Sequence, residues 1–193
     1  MLVQGDDARS EELAFGPAGR GRRWPWIALA LFIAVTAVGV AVDARQRTRE
    51  AAELVSGIEQ SLATMAYAER SVVAVVRYAS PALVLSKTPE SVRRDLVQLV
   101  EDEAADGAAS IEVARDNLAT LRFWPWHDDL DAARAAYLEY LDHRTARLVA
   151  GAAGSPTTAD VAEQTAALLR EARDTLRAAL SDDSRIPDQV LPG

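Results

Sequence analysis

Apolar residues along this chain follow two patterns, one continuous stretch near the N-terminus and periodic segments after it. The stretch covers residues 24–42, reads WPWIALALFIAVTAVGVAV and carries no charged side chain. Its length of about 19 residues is close to the roughly 20 that cross the hydrocarbon core of a bilayer. Backbone polar groups must be satisfied internally there, so the segment is predicted to be a transmembrane helix. A cleaved signal peptide is the alternative, but its apolar core is shorter, about 7–15 residues, so an anchor is favoured.

From residue 43 onward, apolar positions recur at steps of three and four, which is the spacing of one helix face. The first such face carries Ala51, Leu54, Ile58, Leu62, Met65, Val72, Val76 and Ala79. Proline or glycine separates four periodic segments, at about 43–80, 88–122, 128–150 and 157–181.

The residues between these segments predict where the helices begin and end. Pro81 and Pro125 are expected to end the first two helices. Thr88 and Pro89 are expected to be the N-cap and first residue of the second helix. Short connections favour antiparallel neighbours. The predicted fold class is therefore all-α, with the transmembrane helix continuing into an extracytoplasmic, antiparallel, up-down-up-down four-helix bundle.

Residues that flank the apolar stretch predict its orientation. Arg22 and Arg23 precede it, and Trp24 and Trp26 open it, as expected at a membrane interface. Positive residues favour the cytoplasmic side, so residues 1–23 are predicted to be a disordered cytoplasmic tail and the helical domain to lie outside. Residues 182–193, with two prolines, are predicted to be a flexible tail.

Helix lengths predict what lies at the two ends of the bundle. The first two helices are about 52 Å long and the last two about 36 Å, at a rise of about 1.5 Å per residue. The turn holding Trp124 and Trp126 would then return to the outer membrane surface and form a second interfacial belt. The alternative interpretation is that these rings cover the end of the bundle core.

The same difference in length leaves the connection between the first two helices projecting by about 16 Å. Leu83, Val84 and Leu85 lie there and are a candidate contact with a partner. The alternative is that this connection folds back and caps the core.

Charge narrows the range of partners. The net charge is −8, and residues 1–42 hold four arginines and four acids, so the whole excess belongs to residues 43–193. An acidic domain repels phosphate backbones and anionic lipid, which argues against nucleic-acid binding. The expected partners are the membrane and another membrane or extracytoplasmic protein, with a homo-oligomer as a further possibility.

The sequence offers little catalytic or metal-binding chemistry. It contains no cysteine and two histidines, so no thiolate chemistry and no metal or cofactor site is predicted. Glu139 and His143 are four residues apart, whereas di-iron bundles use a spacing of three in two copies. His127, Asp128, Asp129 and Asp131 are explained by the start of the third helix and its dipole. An enzyme is therefore not expected.

The arrangement predicted for residues 43–181 resembles, in outline, the periplasmic four-helix sensor modules of bacterial chemoreceptors and sensor kinases. The resemblance is architectural and rests on no shared motif. It implies ligand sensing, and the signal would have to pass through a separate partner. The function favoured by the residues themselves is a membrane-anchored, non-enzymatic binding or assembly module. The abundance of alanine and arginine is typical of a high-GC bacterial genome.

Overall fold

The structure is a computed structural model that describes residues 24–85, 87–155 and 158–180. These residues form four α-helices and no strand, which confirms the all-α prediction. The helices are α1 (Trp24–Val84), α2 (Glu90–Ala119), α3 (Asp128–Ala152) and α4 (Ala159–Leu180). The predicted tails at residues 1–23 and 182–193, including Arg22 and Arg23, lie outside the described residues.

Contacts divide the chain into two units, Met1–Ala44 and Arg45–Gly193. The second is called the helical unit below, and each unit is described by itself.

Pro81 lies inside α1, so the prediction that it ends the first helix is wrong. A proline within a helix has no N–H for the carbonyl four residues earlier and crowds that carbonyl. Here that residue is Arg77, which is exposed. The next turn closes normally, because the Leu85 N–H donates to the Pro81 carbonyl at 3.3 Å. The helix therefore extends to Val84.

The second helix is shorter than predicted at both ends. Its N-cap residue is Pro89 and no side chain caps it, so Thr88 does not have the predicted role. At the other end the Thr120 hydroxyl donates to the Asn117 carbonyl at 2.8 Å. Such a bond competes with helix continuation. The helix ends at Ala119, well before Pro125.

One apolar core draws on all four helices of the helical unit. Most of the predicted face of α1 is buried, whereas Val76 is an exposed exception. Burying a leucine or isoleucine side chain fully stabilises a fold by about 1.5–3 kcal/mol relative to exposure. Fully or almost fully buried side chains include Leu54, Ile58, Ile111, Leu118, Leu130, Tyr137, Leu141 and Leu176.

Small residues let α1 and α2 approach closely. A Cβ placed on Gly107 would lie 3.0 Å from the Ala68 Cβ. The Ser61 hydroxyl is 3.3 Å from the Ala114 carbonyl, which accepts its hydrogen bond. Ser61 comes before Ala68 on α1, whereas its contact on α2, Ala114, comes after Gly107, the contact of Ala68. The two helices run in opposite directions over this stretch.

Candidate functional site

The N-terminal part of α1 is long and apolar enough to cross a membrane. Its side chains from Trp24 to Val42 are all exposed in the structure, so no described part of the protein covers them. The hydroxyl of Thr36 donates to the Phe32 carbonyl at 2.8 Å and is thereby satisfied within the helix. Large exposed apolar side chains with no unsatisfied hydroxyl are suited to a hydrocarbon environment. Trp24 and Trp26, predicted at the interface, open this segment.

The predicted contact residues Leu83, Val84 and Leu85 are called the tip. Val84 is 82% exposed and Leu85 is 61% exposed, whereas Leu83 is half-buried. No described residue beyond the tip covers the Val84 and Leu85 side chains. The Arg93 guanidinium donates to the Leu85 carbonyl at 3.0 Å and holds the backbone of the tip against the start of α2.

The turn between α2 and α3 brings three aromatic rings together. Trp124 and Trp126 meet edge to face, with ring centroids 4.7 Å apart. The Trp124 ring stacks on the His127 imidazole at 6.3 Å, with 14° between the planes. Trp126 is 60% exposed and Trp124 is half-buried. Trp126 is therefore the exposed ring of this turn, and Trp124 packs against the buried His127.

A buried pair of polar side chains, Glu50 and His127, lies beneath this turn. Each residue is 2% exposed. The His127 Nδ1–H donates to Glu50 Oε2, with 2.6 Å between the two atoms. The Gln46 amide donates to Glu50 Oε1 at 2.8 Å, and the Trp124 N–H lies 3.3 Å from both oxygens. Glu50 therefore ties α1 to the α2–α3 turn through a side chain and a backbone donor.

These donors govern the protonation of Glu50. Burial acts to raise its pKa, but the hydrogen bonds from His127, Gln46 and the Trp124 backbone outweigh burial and lower the pKa below its ordinary value of 4.5. Hydrogen bonds to the charged form favour that form. Glu50 is thus held as a carboxylate although it is almost inaccessible to water.

An ion pair beside this cluster ties α1 to two further helices. The Arg47 guanidinium binds the Asp129 carboxylate with two nitrogens, one of them 3.1 Å from Oδ1. It also donates to the Ala179 carbonyl near the end of α4, at 3.0 Å. The Arg47 hydrogen bond, against the effect of burial, lowers the pKa of Asp129. Residues from α1, α3 and α4 therefore meet at this end of the helical unit.

Glu50 is not among the site residues predicted from the sequence. Its position was available as a signal, because Glu50, Leu54, Ile58 and Ser61 recur at steps of three and four on the buried face of α1. A carboxylate on an apolar face needs a partner. The helix dipole explains the acids at the start of α3 in general, and the structure adds specific partners for two of them. Asp129 binds Arg47, and Asp131 binds Arg134.

A groove of about 460 Å³ lies between α1 and α3, lined by Glu69, Val72, Arg144 and Arg147 among others. Both arginines are already engaged. Arg144 binds Glu69 and the Tyr140 hydroxyl, and Arg147 donates to the Thr165 hydroxyl at 2.8 Å. A ligand in this groove would have to compete with Glu69, Tyr140 and Thr165 for the two guanidinium groups.

Among the described residues, no group of three or more His, Asp or Glu side chains is placed to hold a metal ion. The chain matches no protein-family model, no curated protein and no solved structure.

Proposed function

We propose that this protein is a single-pass, membrane-anchored and non-enzymatic binding or assembly module on the extracytoplasmic side of the cytoplasmic membrane. In this proposal residues 24–42 span the membrane, the N-terminal tail is cytoplasmic and the helical unit docks another membrane or extracytoplasmic protein. The exposed apolar segment Trp24–Val42 supports the anchor. Arginines before it favour the orientation.

The proposal includes an up-down-up-down four-helix bundle. The contacts between α1 and α2 support it, because those that come later in α1 come earlier in α2. On α3, Arg134 donates to the Leu121 carbonyl just after α2, whereas Asp142, further along α3, binds Arg115 within α2. Residues further along α3 thus contact residues that come earlier in α2. Such an order is expected of antiparallel neighbours joined by short turns.

The proposal also places Trp124 and Trp126 at the outer membrane surface. Glu50 lies eight positions after Val42 in the sequence and is bonded to the Trp124 N–H. The exposed Trp126 ring is of the amphipathic kind that favours the interface.

The observation that carries the docking function is the exposure of the tip. Val84 and Leu85 are large apolar side chains that remain mostly exposed in an acidic helical unit. Exposed apolar groups that the fold does not bury are typical of contact sites. A partner that covered them would gain hydrophobic free energy, about 25 cal/mol per Å² of apolar area removed from water.

Crosslinking in the native membrane followed by purification in mild detergent tests this function. We expect a defined protein to co-purify with the wild type. Val84→Asp with Leu85→Asp should reduce its recovery at least about fivefold, because a buried unpaired charge is costly. The control is Val149→Asp, an exposed apolar position on α3. A chain that is recovered alone, or equal loss in both variants, would refute docking at the tip.

A further inference from the structure

Three successive residues on α1 show which side of the α1–α2 pair is uncovered. Ala68 lies against Gly107 of α2. Glu69, the next residue, binds Arg144 of α3. Tyr67, the residue before, is 70% exposed. Neighbouring residues on a helix point about 100° apart, so Tyr67 points to the side away from α3.

Three successive residues on α2 repeat this order. The Ala114 carbonyl accepts the hydrogen bond from Ser61 of α1. Arg115 binds Asp142 of α3, and Val113 is 64% exposed. Val113 therefore points away from α3, on the same side of the α1–α2 pair as Tyr67.

We call this side the outer face. Positions three or four apart share one side of a helix, which extends the face along both helices. Large apolar side chains with exposures from 41% to 76% lie on it: Tyr67, Tyr78, Leu85, Val92, Leu99 and Val113. This apolar surface lies on two antiparallel helices and is not covered by any described residue.

Acids are interleaved with these apolar residues on α2. Asp95, Asp102 and Asp106 are exposed and follow the same spacing of three and four as Val92, Leu99 and Val113. The whole of α2 carries eight acids against three arginines. On α1, the same side from Ser56 to Ala82 is formed mainly by Ser, Gln, Ala and Tyr side chains, and the exposed Arg70, three residues after Tyr67, adds one positive charge at its edge. The outer face is thus both apolar and acidic.

We propose that the outer face binds a basic amphipathic helix of a partner protein. Apolar side chains of that helix would pack between Tyr67, Tyr78 and Leu99, and its Arg or Lys side chains would meet the aspartates of α2. A second copy of this chain is a poorer occupant of the same face, because its own face carries Asp95, Asp102 and Asp106 against Arg70 and therefore has the same net negative charge. The inference rests on the proposed docking function and gives it a surface and a partner chemistry.

Binding of designed peptides to the full chain in detergent micelles tests the inference. One probe is a helical peptide of about 21 residues with leucines at helical spacing flanked by arginines, long enough for about 32 Å of groove. The matched probe carries glutamate in place of arginine. We expect the Kd of the arginine peptide to be at least about tenfold lower, a difference of about 1.4 kcal/mol.

Two pairs of substitutions separate specific docking from a general charge effect. Asp95→Asn with Asp102→Asn removes two charges from the outer face and should weaken binding about tenfold. Glu101→Gln with Glu112→Gln removes two charges from another exposed side of α2 and should change the Kd less than about twofold. Equal weakening by the two pairs would mean that net charge alone attracts the peptide, and would overturn the inference.

The apolar half of the face has its own test. Tyr67→Ala with Tyr78→Ala should also weaken binding about tenfold, whereas Val73→Ala, on another side of α1, should not. A dimer of the full chain that both tyrosine substitutions dissociate would show a second copy on the outer face and would overturn the inference. Absence of peptide binding, with a partner still recovered through the tip, would refute this inference and leave the proposed function standing.

Discussion

Glu50 shows how a single buried carboxylate connects distant parts of the chain. It accepts hydrogen bonds from His127, Gln46 and the Trp124 backbone and is almost inaccessible to water. Removing one partner of a buried polar pair leaves the other unsatisfied. The α2–α3 turn, with its exposed Trp126, is held in place by these bonds. Position 50 is therefore expected to affect both stability and the placement of the turn.

Glu50→Ala should lower the free energy of unfolding by about 3 kcal/mol, the lower end of the range for breaking a buried ionic or hydrogen-bonded pair. The exposed neighbour Glu53, which pairs with Arg49, provides the control: Glu53→Ala should cost at most about 0.5 kcal/mol. Denaturant unfolding of the full chain in micelles measures both. Equal effects of the two substitutions would show that the buried bonds contribute little.

Because the pKa of Glu50 is lower in the folded state than in the unfolded state, its ionised form stabilises the fold. That contribution is complete above its ordinary value of 4.5 and is lost as pH falls through the lower folded-state pKa. The Tm of the wild type should therefore fall more steeply from about pH 6 to about pH 3 than that of Glu50→Gln. Asp129 and the other carboxyl groups titrate in both proteins, so the difference reports Glu50. Parallel curves would contradict the prediction.

Among the helices, α2 and α3 each carry glycine inside the helix, with opposite consequences. Gly107 of α2 lies against Ala68 of α1, where a Cβ would be only 3.0 Å from the alanine Cβ. Gly151 of α3 has nothing within 4 Å of such a position. Glycine costs about 0.5–1 kcal/mol relative to alanine within a helix, so only the first has a packing reason to be glycine.

Gly107→Val should destabilise the helical unit by about 1–3 kcal/mol, because α1 and α2 would have to separate. Gly151→Ala should stabilise it by up to about 0.8 kcal/mol through helix propensity. Thermal unfolding followed by circular dichroism measures both changes. If Gly107→Val were tolerated as well as Gly151→Ala, the close approach of the two helices would be wrong.

For the whole molecule, the proposed topology makes the absence of cysteine useful. The natural sequence contains no thiol, so each engineered cysteine is the only labelling site. A membrane-impermeant maleimide should label Glu101→Cys, an exposed α2 position, in intact spheroplasts. It should label Ser10→Cys only after the membrane is permeabilised. The reverse pattern would overturn the orientation, and labelling of both in intact cells would indicate that the chain is not held across the membrane.

The sequence determined the local structure of this protein to a large degree. Steps of three and four place apolar residues on one side of a helix by backbone geometry alone, so the four helices and most of the core of α1 followed from the pattern. Proline was a less reliable indicator of a helix end, since α1 continues through Pro81 and ends at Val84. The candidate contact at the tip came from comparing helix lengths, which needs no tertiary information.

Tertiary structure decided which distant residues meet. Glu50 and His127 are 77 positions apart, and no local rule pairs a particular carboxylate with a particular imidazole. The same holds for the outer face, since only contacts to α3 show which side of α1 and α2 is left uncovered. Periodicity alone determines the side of its helix on which each side chain lies. The packing of the helices against one another determines which residues that side chain contacts. The apolar segment Trp24–Val42 was readable from sequence, whereas the buried Glu50–His127 pair that follows it emerged from the fold.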